Sequence, residues 1–120
     1  IDKETQQELK NRCLNRLGSL ILVELIVTKA IVLKNPSRIA AFEQTHPNFV
    51  CYRRNKNGYD SRYIDSRTEE LWRVVIANND CRGVRYYKAI IDTEIDKEVF
   101  DTRIAPCLAH YACEVNFFDN

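Results

Sequence analysis

The chain has 120 residues, 18 basic against 17 acidic side chains, 45% apolar content, three glycines and three prolines. A chain of that length buries about two thirds of its surface around one core, and the near-neutral charge excludes a global field that would draw it to nucleic acid or anionic lipid. The composition also excludes low-complexity, repeat and linker architectures, so residues 1–120 are expected to form a single domain.

Residues 3–16 read as a charged amphipathic helix, with Leu9, Cys13, Leu17 and Leu20 recurring at helical spacing. This helix leads into residues 17–33, LGSLILVELIVTKAIVL, the most aliphatic stretch of the chain. A run of about 17 residues is too long for an ordinary strand of about 5 or 6, so the expectation is a continuous helix. A helix apolar nearly all round belongs at the centre of a fold. The alternative is a doubly buried strand over residues 20–27, because Ile21, Val23, Ile26 and Val27 are β-branched. Glu24 and Lys29 inside the run argue against a membrane span, and no span is expected in the mature chain.

Asn35 followed by Pro36 predicts a capped restart, a short helix over residues 37–44 that buries Ile39, Ala40 and Phe42. After Pro47 the pattern changes to strands: residues 49–53, a tight turn at Asn57-Gly58, and a return strand over residues 61–65. Residues 71–78 and 84–92 are rich in aromatic and β-branched side chains and read as two further strands. Ser66 and Glu69 have capping-box spacing, which makes a helix the alternative for the first of these. Thr93 and Asp96 have the same spacing and predict a helix to about residue 103, burying Ile95, Val99 and Phe100 and broken by Pro106. Residues 111–118 read as a last strand, with a short helix over residues 106–111 before it as an alternative. The expected fold class is α+β: a long N-terminal helix packed on an antiparallel meander of about four strands, stabilised by disulfides.

The disulfide expectation comes from five cysteines, Cys13, Cys51, Cys81, Cys107 and Cys113, a high count for a small domain. A chain that begins at Ile1 and contains no Met reads as a trimmed, mature product. Together these predict an oxidising compartment, periplasmic or secreted, with two intramolecular bridges and one leftover thiol. Cys51 with Cys81, and Cys107 or Cys113 with one of the others, are the first pairs to test.

Three groups of side chains are candidates for function. Tyr52, Arg53, Arg54, Tyr59, Arg62 and Tyr63, with Lys56 and Arg67 between and around them, interleave rings and cations, and Arg82, Arg85, Tyr86, Tyr87 and Lys88 extend the pattern. Rings and guanidinium groups anchor protein interfaces, and they also stack the bases of single-stranded nucleic acid. Of this group Tyr52, Arg53, Arg54, Tyr59, Arg62, Tyr63, Arg85 and Tyr87 are the predicted partner-binding residues. The acidic run Asp92, Glu94, Asp96, Glu98 and Asp101 lacks the glycine of a calcium loop, and a helix-dipole role for Asp92 and Asp96 accounts for it. Cys107, His110 and Cys113 have no Cys-x-x-Cys companion, and neither His46 nor His110 is aligned with a thiolate by local sequence. No phosphate-cradling glycine loop, serine elbow or zinc-protease helix is present, so no catalytic residue, metal or cofactor is expected.

By elimination the expected function is that of a small extracytoplasmic protein-binding domain, an inhibitor or immunity protein that neutralises a toxin or hydrolase in the periplasm, and not an enzyme. The partner would be that toxin or hydrolase, or a secretion component. Homodimerisation through a sheet edge or the odd cysteine is a further expectation. The alternatives are a nucleic-acid-binding module using residues 52–67, disfavoured by the neutral charge, and a secretion-apparatus accessory or chaperone-like protein.

Overall fold

The computed structural model describes residues 1–14, 28–77, 86–108 and 114–119. Helix α1 (Lys3–Leu14) is followed by strand β1 (Thr28–Leu33). A 3-10 turn at Pro36–Arg38, with the Asn35 side chain accepting from Ser37 N at 3.0 Å, then leads into α2 (Ile39–Thr45). Strands β2 (Phe49–Arg53), β3 (Arg62–Asp65), β4 (Leu71–Ile76) and β5 (Tyr86–Asp92) come next. A helical segment, α3 (Lys97–Val99), a π turn (Phe100–Ile104) and α4 (Ala105–Leu108), precedes β6 (Glu114–Phe118).

The strands form one mixed sheet in the order β2-β3-β4-β1-β5-β6. Four of them, β4, β1, β5 and β6, run parallel, and the antiparallel pair β2-β3 extends the sheet beyond β4. β1 is central because its sequence leaves no polar face. Ala30, Ile31, Val32 and Leu33 are all fully buried, the signature of a strand covered on both sides. One side of the sheet, here the back, holds Ala30, Val32, Val75, Ala89, Ile91 and Val115 against Leu9 of α1 and Phe100, Ile104 and Leu108 of the helical segment. The front holds Ile31, Leu33, Trp72, Val74 and Ile90 against Ile39 and Phe42 of α2. Three layers result, and α2 covers only part of the front.

The β2-β3 connection shows how local sequence fixes geometry. Asn57 and Gly58 both have positive φ, +63° and +81°, as the Asn-Gly pair predicts. A Cβ on Gly58 would also stand 2.6 Å from Ile39 Cδ1, so the same glycine lets the turn tuck under α2.

Several expectations are corrected. The architecture is a three-layer α/β fold with a six-stranded mixed sheet, not an antiparallel meander under a long N-terminal helix. The predicted helix over residues 17–33 ends as a strand from Thr28 onward, and residues 15–27, including the alternative strand, lie outside the described residues. The disulfide framework is also overturned: no cysteine pair among the described residues is at bonding distance. The sheet itself separates the Cys51 and Cys107 thiols. Cys51 packs against the front core, whereas Cys107 lies in the back core with its thiol donating to Arg103 O at 3.4 Å. Cys81, Cys113 and the Cys13 side chain lie outside the described residues.

Two smaller corrections are local. Ala40 faces solvent, and Ala41 meets the core instead. Pro106 does not break its helix, because the π turn hands Ala105 N–H back to Phe100 O and places the proline in the first turn of α4, where no N–H is required.

Candidate functional site

In open α/β sheets, ligands bind outside the carboxyl ends of the strands, where neighbouring connections leave to opposite faces. Here that place is between β1 and β5, since the chain after β1 enters α2 on the front and the chain after β5 enters the helical segment on the back. The crevice is occupied by the protein's own side chains. Asp92, with no exposed surface, accepts from Arg38 Nε at 3.0 Å, Arg38 Nη2 at 3.1 Å, Lys34 N at 3.1 Å and Glu94 N at 3.0 Å. The Arg38 guanidinium lies 5.5 Å from the centre of the Phe118 ring, and its bonds to Asp92 raise its proton affinity further. Asp92 is therefore a strand-end lock and not the helix-dipole residue read from sequence. Its acidic neighbours do not converge. Glu94, Asp96, Glu98 and Asp101 are exposed, and Asp96 makes a 3.9 Å contact with Lys34 Nζ. Among the described residues no cluster of three His, Cys, Asp or Glu groups could hold a metal.

The opposite, amino ends of the parallel strands are open on the front. A pocket of about 340 Å³ lies there between the sheet, the end of α2 and the β3-β4 turn, with Phe49, Trp72 and Ile90 as its apolar wall and His46, Arg67 and Lys88 among its polar groups. Glu70, Lys88 and Glu114 line it as part of an ion cluster set by strand register, which places Lys88 beside Glu114 and beside Lys29, itself outside the lining. Lys88 Nζ donates to Glu70 Oε2 at 3.0 Å and lies 3.5 Å from Glu114 Oε2, and Lys29 Nζ lies 3.7 Å from Glu70. Burial works against both charges of the Glu70–Lys88 pair. The bond between them outweighs it, so the Glu70 carboxyl sits below its ordinary range and the Lys88 ammonium above its own.

Two more pocket groups are held by their own turns. The Asp65 carboxylate accepts from Asn48 Nδ2 at 2.8 Å and Arg67 N at 3.0 Å, and these bonds keep it ionised to lower pH than usual against the cost of burial. His46 stacks on Phe42 at 4.6 Å between ring centres, with Nδ1 2.8 Å from Thr45 Oγ1. Burial lowers its proton affinity, with the nearby Arg67 charge adding to the effect. Trp72 is 6% exposed and packs edge-on against Phe49, and its buried indole Nε1–H has no acceptor among the described residues.

The predicted partner-binding residues do not share one surface. Tyr63 is fully buried, its hydroxyl donating to Glu43 Oε1 at 2.8 Å, and Arg54 Nη2 donates to the same oxygen at 2.7 Å. Burial would raise the Glu43 carboxyl, but those two bonds hold it below its usual range, and the burial of Tyr63 beside that carboxylate pushes its phenol up. Tyr86 is buried in the back core, Tyr87 carries Lys29 Nζ 5.9 Å from its ring centre, and Arg82 and Arg85 lie outside the described residues. Tyr52, Arg53, Lys56 and Tyr59 are exposed, and Arg62 is partly so, paired with Asp60 at 3.1 Å.

What surrounds these exposed groups went unread in the sequence. On the back, register aligns Val50 with Ile64 and Ile64 with Leu71, and one row further aligns Arg53 with Arg62 and Arg62 with Arg73. Val50 is 51% exposed and Leu71 59%. The helices of the back pack beside this half of the sheet and do not cover these two side chains. Strand alternation was the available signal: Phe49 and Trp72 inward put Val50 and Leu71 outward. The pocket had no comparable signal, because its walls come from four separated segments.

No protein-family model matches this sequence, and no curated protein or solved structure is significantly similar to it. Among the described residues no helix is long and apolar enough to cross a membrane.

Proposed function

We propose that this chain is a protein-binding domain that receives an acidic partner protein on the open back of strands β2, β3 and β4. Neutralising a toxin or hydrolase, as an inhibitor or immunity protein does, is a task this reading fits. The observation that carries it is the row of exposed Val50 and Leu71 with half-buried Ile64 between them, lying directly beside the row of Arg53, Arg62 and Arg73. An apolar centre with an arginine-rich margin has the composition of a protein interface, in which a few desolvated anchors carry most of the affinity. Tyr52, 52% exposed on the same edge strand, adds a rigid aromatic anchor.

Edge-to-edge pairing through β2 is less favoured than docking on the face. β2 is interrupted by a bulge between Cys51 and Arg53 and ends in two cations, both devices that blunt a sheet edge. A second copy docking face to face would set arginine row against arginine row, so a charge-complementary partner is preferred over a homodimer.

The test is affinity capture from the native source, quantified by mass spectrometry, with wild type, Leu71→Glu, the double variant Arg53→Glu/Arg62→Glu, and Glu98→Gln as a remote control. The expected result is one acidic protein retained by wild type and Glu98→Gln and lost with the other two. Equal retention by all four would refute the reading. Recovery of nucleic acid, with retention falling steeply as salt rises, would transfer the basic row to the nucleic-acid alternative.

A further inference from the structure

The front pocket is independent of the proposed partner face, being on the other side of the sheet, and it contains a donor with nothing to donate to among the described residues. Buried N–H groups are almost always satisfied, and Trp72 Nε1–H, in a side chain only 6% exposed that lines the pocket, is not. The acids around it are already engaged. Glu70 is held by Lys88 and Lys29, Asp65 by Asn48 and the Arg67 amide, and Glu114 by Lys88 and by Asn116 Nδ2 at 3.2 Å. On the donor side the Arg67 guanidinium, also at the pocket wall, has no ion-pair partner among the described residues. Among the charged and buried groups of the pocket the unspent capacity is thus that of donors, beside an apolar wall of Phe49, Trp72 and Ile90.

We infer that this pocket binds a small monocarboxylate with a flat or branched apolar body, its carboxylate taking Trp72 Nε1–H and the Arg67 guanidinium while the body lies against Phe49, Trp72 and Ile90. A volume of about 340 Å³ is at the small end of ligand sites. Inorganic phosphate has no apolar body to lie against the wall of Phe49, Trp72 and Ile90. A small organic amine finds the lining carboxylates already paired. The carboxylate can belong to a free acid or to the end of a peptide chain, since both present the same group.

Trp72 is the only tryptophan in the chain, so its emission and its indole N–H resonance report on the pocket directly. Phenylacetate and acetyl-Gly-Phe are titrated into the full chain, with acetyl-Gly-Phe amide, phenethylamine and inorganic phosphate as comparisons. The expected result is a saturable change in Trp72 emission and a downfield shift of its indole proton with phenylacetate, with the peptide acid, or with both. The amide, the amine and phosphate leave both signals unchanged. Response to phenylacetate assigns the source to a free acid, and response to the peptide acid alone assigns it to a chain end. Arg67→Gln, at an exposed position, is expected to weaken the responding acid about tenfold, a loss of about 1.4 kcal/mol, while Leu71→Glu leaves it unchanged. No saturable response to either acid, an equal response to the amine, or undiminished affinity in Arg67→Gln would each overturn the inference.

Discussion

Asp92 keeps a carboxylate wholly out of water because four donors meet it, two from one guanidinium and two from backbone amides. Such a pair is weak evidence for stability in itself, since the cost of desolvating two ions offsets most of their attraction, but removing one partner strands the other. Asp92→Asn is therefore expected to lower unfolding free energy by about 3–5 kcal/mol, measured by urea denaturation, whereas Asp92→Leu combined with Arg38→Met stays close to wild type. A loss of under about 1 kcal/mol in Asp92→Asn would mean that the carboxylate is not locked as described. The sequence could not show this role. Arg38 is 54 positions away, and a carboxylate at a strand end followed by Thr93 and further acids resembles the start of a helix. The Asn57-Gly58 turn was legible for the opposite reason: its two positive φ values are demanded by adjacent residues and need no distant partner.

At the scale of elements, the ion cluster at the pocket depends on β1 and β5 presenting Lys29 and Lys88 side by side toward Glu70. Both members of the Glu70–Lys88 pair are shifted so as to favour their charged forms, which sets a pH window. The Glu70 carboxyl is depressed below its ordinary 4.5, so its contribution is complete above that value and fades as pH falls through the folded pKa. The Lys88 ammonium is raised above its ordinary 10.5, so its contribution is complete below that value and fades as pH rises through the folded pKa. Lys88→Met should then cost about 1–2 kcal/mol at neutral pH, with the difference from wild type shrinking toward both extremes. Urea midpoints across the pH range check this, and a pH-independent difference would reduce the effect to lost packing of the lysine stem.

Element type was legible for β2, β3, β4 and β5, where aromatic and β-branched residues sit between turn signals. It was misread for residues 28–33, because a strand buried on both faces has the same unbroken apolar run as a buried helix, and length decided wrongly once the chain changed element within that run. The sequence offers a short helix from residue 106, but not its continuity with the preceding one, because a π turn leaves no mark in periodicity.

The whole molecule sets the order of stability of its strands by how each is covered. In the observed sheet β1 has a parallel strand on each side, α2 in front and the back core behind, whereas β2 is an edge strand with one neighbour and a bulge. Opening β1 requires separating both halves of the sheet, so the amides of Ile31 and Val32 are expected to exchange only through global unfolding, at a free energy equal to that from urea denaturation. The amides of Tyr52 and Arg53 should exchange through local opening at markedly lower free energy. Native-state hydrogen exchange resolves the two classes. If the β1 amides exchanged as fast as those of β2, β1 could not be the middle of the sheet. The Glu70–Lys88 pair would then lose the neighbouring strand that carries Lys29, and the open back of β2, β3 and β4 would lose the central strand it is built out from.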